Sequence, residues 1–275
     1  MNSIKSFKKV YNIANVITIA VVLLLLLCFA FSFDTDNGYL NKTPLSFLFM
    51  VTYLAGIIIS VLTIFIPSEF EVLKSSNTIE GMAKSYYTAA CIACILFGGL
   101  GTFLTNDVLD SHTTMVAGLG LMFFGIFILL MLVMDGYTFK FPKLIFLFLS
   151  ISLPVILSLG NTKNYVHHIN STENILCVFF SISFLLYILN EARRICLGYH
   201  SNWHFASMLL TYITGLSLSG SYVIAFIFNS VKEGYRFYQM LIILIVSIFM
   251  GIELKHFLYT VEPQSKIKWS VNKEQ

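Results

Sequence analysis

Residues 15–33 read NVITIAVVLLLLLCFAFSF, a stretch without a charge in which Val21-Val22-Leu23-Leu24-Leu25-Leu26-Leu27 runs unbroken. A hydrocarbon layer of about 30 Å is crossed by about 20 apolar residues in a helix rising about 1.5 Å per residue. In lipid a helix satisfies all its backbone groups within one segment, whereas a barrel strand shows about 10 residues of alternating polarity. This run does not alternate, so it predicts a transmembrane helix.

Comparable runs follow outward along the chain at 45–66, 86–104, 114–134, 143–159, 174–190, 205–228 and 237–259, with the fifth and sixth the shortest. The longest predicted loop, 67–85, is too short for a soluble domain. A hydrophobic fraction of 57% with 11% charged residues agrees, because soluble domains carry about 25% charged residues. The expectation is an all-α polytopic bundle of eight spans, with 1–275 a single integral membrane domain.

Charge sets the orientation. With the N-terminus assigned to the cytoplasm, that side collects Lys5, Lys8, Lys9, Lys74, Lys84, Lys140, Lys143, Arg193, Arg194, Lys255, Lys266, Lys268 and Lys273. The outer side receives Lys42, Lys163, Lys232 and Arg236. Short loops obey the positive-inside bias, so both ends are expected in the cytoplasm. The net charge of +3 follows from this bias. The expected surroundings are the lipid bilayer, which the basic residues 266–273 suit. A nucleic-acid partner is not expected, since no patch is large enough to neutralise several phosphates.

The first run has a basic start, and Ala30 and Ser32 stand at a cleavage-like spacing. Its apolar stretch exceeds the about 7–15 residues of a signal peptide, which favours a retained anchor. Two sequons, Asn41-Lys42-Thr43 and Asn170-Ser171-Thr172, fall in outer loops. Abundant Ile, Phe, Asn and Lys with little Arg suggest an AT-rich genome, hence a bacterial cytoplasmic membrane.

Of five prolines, Pro154 alone lies inside a span, and a kink is expected there. Ser150, Ser152 and Ser158 are placed to satisfy the freed backbone groups. Span three carries Ala90, Cys94, Gly98 and Thr102 at four-residue spacing, and span seven carries Ser207, Thr211, Gly215 and Ser219. Small residues at that spacing line one helix face and let backbones approach closely. Spans three and seven are therefore expected in the interior. They hold the third position of each half, compatible with a duplication, though no residue-level similarity joins the halves.

An ionisable residue deep in the membrane is the best pointer to function. Asp135, Glu191, Glu253, Arg193, Arg194, Lys255 and Arg236 all fall at or near predicted helix ends, and all six histidines map to loops or interfaces. That disfavours a mid-membrane proton relay and a haem held between spans. His200 and His204 share the i, i+4 spacing of a metal pair, but no third ligand is evident. Asp107, Asp110 and His112 cluster in one outer loop and His167-His168 in another, where solvated polar residues need no metal. No Glu-Glu pair supports an intramembrane protease. Cys91-Ile92-Ala93-Cys94 sits in an apolar setting without a base and reads as packing. No catalytic residue, metal centre or cofactor is expected.

The most distinctive polar motif is Asn190-Glu191-Ala192-Arg193-Arg194, closing span six. Glu191 and Arg194 are spaced to pair along the helix, and the arginines suit its C-terminal dipole. The alternative is a docking site for an anionic ligand or a protein partner at the cytoplasmic face. The layout of eight spans with this Glu-Ala-Arg motif resembles uncharacterised multi-pass proteins of low-GC Gram-positive bacteria, a resemblance that implies no activity. The preferred reading is a non-enzymatic, membrane-embedded binding, interaction or accessory component. The alternatives are a permease for a neutral or apolar solute, resting on Pro154 and the polar face of span seven, and a quinol-handling membrane anchor of a redox complex.

Overall fold

A computed structural model describes residues 2–34, 39–66, 81–103, 111–134, 140–163, 172–197, 201–228 and 234–260. Helix α1 (Asn2–Phe31) leads into a two-stranded ribbon of β1 (Phe33–Asp34) and β2 (Tyr39–Leu40), antiparallel with Phe33 opposite Leu40. There follow α2 (Pro44–Leu62) with a 3-10 turn at Thr63–Phe65, α3 (Gly81–Phe103), α4 (Ser111–Val133), α5 (Lys140–Leu149) and α6 (Ser152–Lys163). The chain continues through α7 (Thr172–Leu197), α8 (Asn202–Ile227) and α9 (Gly234–Thr260). These supply eight stretches long and apolar enough to cross a membrane, with α5 and α6 together making the fifth.

Local chemistry explains the boundaries. Thr43 caps α2 by accepting from the Ser46 amide at 3.2 Å, and Pro44 opens the helix where a missing N–H costs nothing. Ser201 caps α8 in the same way, accepting from the His204 amide at 3.2 Å. Pro154 has no N–H to give the carbonyl of Ser150, and the fifth span breaks at Ser150–Ile151. The Leu153 amide takes over that carbonyl at 3.0 Å, while the Ser150 and Ser152 hydroxyls donate to Leu147 and Leu149. The break lets α6 close on α4, where a Cβ on Gly120 would lie 2.7 Å from the Leu153 amide nitrogen.

Two lysines at the start of α5 stitch neighbouring helices. Lys140 Nζ donates to the Cys196 carbonyl at 3.0 Å and the buried Lys143 Nζ to the Met134 carbonyl at 2.9 Å. Each cation thus meets a carbonyl at the C-terminal end of a helix, α7 and α4 respectively, where the dipole favours it.

The interior belongs to α7, α8 and α9, each more than half buried along its apolar stretch. Helix α8 lies between α1, α2, α7 and α9. Helix α3, expected inside, is peripheral with 28% buried and packs on α4 and α9. Most of its small residues face α4, while Gly101 also lies under the Tyr238 ring of α9. A Cβ on Gly98 would lie 2.7 Å from the Gly118 carbonyl oxygen, and one on Gly125 2.9 Å from Cys94 Cβ. Small residues permit close approach to a neighbour, which is not burial on all sides. On α1 the sides separate plainly: Ala14, Thr18, Val21, Leu25 and Cys28 are buried, whereas Val16, Ile19, Leu23 and Leu27 are exposed. That exposed stripe is the face a lipid tail would cover.

Candidate functional site

A ladder of rings on α7 leads to the site. Phe180 stacks on Phe184 and Phe184 on Tyr187, each pair with centroids 5.9 Å apart, and Tyr187 stacks on His204 of α8 at 5.8 Å. Residues three and four apart share one face of a helix, which aligns the rings. Phe124 of α4 and Phe249 of α9 pack edge-on against each other at 5.4 Å and close the apolar side.

Beyond the last ring the interior turns ionic. Glu191, His204 and Glu253, from α7, α8 and α9, are each at least nine-tenths buried, with exposures of 1%, 1% and 8%. Arg194 Nε donates to Glu191 Oε2 at 2.7 Å, and its Nη2 donates to Glu191 Oε1, so the guanidinium grips the carboxylate with both prongs. His204 Nε2 lies 3.0 Å from Glu191 Oε2. Tyr187 Oη donates to Glu253 Oε2 at 2.7 Å. One ligand atom from each of Glu191, His204 and Glu253 falls within 4.8 Å of the others. Tyr87 and the half-buried His256 border the cluster, their rings 5.7 Å apart.

These residues stand near helix ends as expected, Arg194 in the last turn of α7, but Glu191, His204 and Glu253 face the interior. Span six runs through the Glu-Ala-Arg motif to Leu197, so Glu191 and Arg194 lie inside α7. His204 sits in the first turn of α8, not in a loop, and α9 continues past Glu253 to Thr260. Past Glu191 the buried face of α7 continues at Ile195, beyond the expected end of span six at 190, whereas the expected span 237–259 already holds Glu253, Phe257 and Leu258. Apolar residues resuming after a charge were the legible signal. The His200 and His204 pair also looked along one helix, whereas His204 meets its carboxylates on two others.

The motif divides. Glu191 and Arg194 enter the cluster and Arg193 is exposed. Ala90, Cys94 and Gly98 are buried and Thr102 is half-buried, its hydroxyl donating to the Gly99 carbonyl at 2.7 Å. The hydroxyls of Ser207, Thr211 and Ser219 donate to carbonyls of their own helix at His204, Ser207 and Gly215. Gly215 is covered, since a Cβ there would clash with Ser247 Oγ and lie 2.8 Å from Phe180. This stripe therefore packs α8 against α7 and α9. Asp107, Asp110, His167, His168 and His200 lie outside the described residues.

No protein-family model, curated protein or solved structure matches the chain. The site is therefore read from its own chemistry.

Proposed function

We propose that the protein is a non-enzymatic, membrane-embedded binding component of a cell membrane, with both termini cytoplasmic, and that its centre on α7, α8 and α9 binds a small metal cation. One observation carries this reading. Glu191 and Glu253 bring two carboxylates to a buried site that Arg194 matches with a single positive charge. With His204 neutral and both carboxylates ionised, as cation binding would require, one negative charge would be left for the cation to meet. An unbalanced charge inside a protein costs several kcal/mol, on the order of 3–5 where it has been created by removing one partner of a pair. Ionisable groups inside a membrane bundle mark binding sites and pathways for that reason.

Support for a permease is narrower. The polar face of α8 that would line a path is engaged in backbone hydrogen bonds and covered by Ser247 and Phe180. The cation reading is tested by thermal unfolding in lipid nanodiscs, in chloride salts of N-methylglucamine, sodium, potassium, magnesium, calcium, manganese and zinc at one ionic strength. The expected result is saturable stabilisation by at least one metal cation, lost in Glu253→Gln. Identical unfolding in every salt overturns the reading and leaves a structural ion-pair network whose extra charge is held by a proton.

A further inference from the structure

Resting on that reading, we infer that the cation is a divalent transition-metal ion, ligated by Glu191, His204 and Glu253, with Arg194 and Tyr187 as positioning residues. The donor set decides the class. Two carboxylate oxygens and an imidazole nitrogen suit zinc, manganese, iron or cobalt, whereas sodium, potassium, magnesium and calcium prefer oxygen alone. Ligands about 2.0–2.2 Å from a tetrahedral zinc stand about 3.3–3.6 Å apart. His204 Nε2 and Glu191 Oε2 are already 3.0 Å apart, and an oxygen of Glu253 completes the group within 4.8 Å.

The surroundings are those of a metal centre. Each carboxylate has a hydrogen-bond donor of its own: Arg194 grips Glu191 and Tyr187 Oη holds Glu253. Outer donors of this kind orient ligating carboxylates and are costly to remove. A carboxylate has about four lone-pair sites, so Glu191 can accept both Arg194 bonds and still present Oε2 toward His204. The three ligands come from three different helices, so an ion bound among them would clamp α7, α8 and α9 together. A divalent ion also exceeds the one negative charge that two ionised carboxylates and Arg194 leave, so the full site is expected to take a further anionic ligand, such as a hydroxide. Three protein ligands with an open position are the pattern of a reactive or exchangeable ion, where a closed structural site takes four.

The test uses the full-length chain, purified in mild detergent, loaded with zinc or cobalt chloride, passed through a desalting column and assayed by elemental mass spectrometry. About one ion per chain is expected for the unaltered protein, with Glu253→Gln and His204→Gln losing it and the exposed control Arg193→Gln retaining it. Tyr187→Phe is expected to weaken binding about 10–100-fold without abolishing it. Should the variants fail to fold, pulsed EPR on the unaltered protein loaded with copper(II) reads imidazole nitrogen coupling directly, and its absence overturns the assignment. Stabilisation by sodium, potassium, magnesium or calcium with no retained transition metal overturns this inference and leaves the cation reading standing. No response to any cation, or a bound ion indifferent to Glu253→Gln and His204→Gln, overturns both.

Discussion

Tyr187 Oη and Glu253 Oε2 lie 2.7 Å apart and join α7 to α9 in the interior. The bond stands where the aromatic ladder ends and the ionic cluster begins, so one tyrosine belongs to both. Its ring packs between Phe184 and His204 while its hydroxyl holds a carboxylate.

Tyr187→Phe keeps the ring and removes only that bond. A loss of about 1–2 kcal/mol of stability is expected, given the modest worth of hydrogen bonds between membrane helices and the larger worth of those to charged groups. Tyr187→Ala, which also leaves a cavity among Phe124, Phe184 and His204, is expected to cost about 3–5 kcal/mol. Reversible unfolding in mixed micelles, compared for the two variants, separates the hydroxyl from the ring.

Neighbouring arginines are expected to behave very differently. Arg194→Gln strands the buried Glu191 carboxylate and is expected to cost about 3–5 kcal/mol, whereas the exposed Arg193→Gln changes stability by less than about 0.5 kcal/mol. The double variant Glu191→Gln/Arg194→Gln is expected to recover part of the loss, because both partners go together. Equal effects of the two single arginine substitutions would contradict the burial of the pair.

Gly98 and Gly99 form an internal control on α3. A Cβ on Gly98 would press on the Gly118 carbonyl oxygen at 2.7 Å and on the Met122 amide nitrogen at 2.7 Å, both backbone atoms that cannot swing away. One on Gly99 meets nothing within 4 Å. Gly98→Ala is expected to destabilise by about 1–3 kcal/mol through forced separation of α3 and α4. Gly99→Ala is expected to be neutral or slightly stabilising. Melting temperatures of the two variants in nanodiscs check the pair.

Pro154→Ala returns an N–H that can bond the Ser150 carbonyl, now held by Leu153. The α5–α6 break is expected to narrow, and distances between spin labels on the two helices should shift toward those of one continuous helix. Because α6 packs on Gly120 through that break, the straightened span is also expected to be less stable. Unchanged label distances would mean that packing against α4, and not the proline, sets the bend.

Reporter fusions check the orientation drawn from charge. Markers active only in the cytoplasm are expected to be active at both termini and inactive when inserted in the loops holding Lys42 and Lys232. The opposite pattern would invert the protein and put the ionic cluster at the outer face.

Run length and absence of alternation determined the medium, the helical class and the eight spans, because the thickness of lipid and the need to satisfy every backbone group act on each segment by itself. The proline reading was local too, since a missing N–H concerns only its own turn. The site was not legible in this way. Glu191 and His204 flank one short connection and Glu253 lies on another helix, each near an end of an apolar run, and alone each looks like a residue meeting water. Only the packing of α7, α8 and α9 turns their sides inward and adds two carboxylates, one guanidinium and one imidazole into a single charge balance. The place of α3 needed the tertiary structure for the same reason. A stripe of small residues states that a close neighbour exists, and which faces remain for lipid depends on how all eight spans assemble.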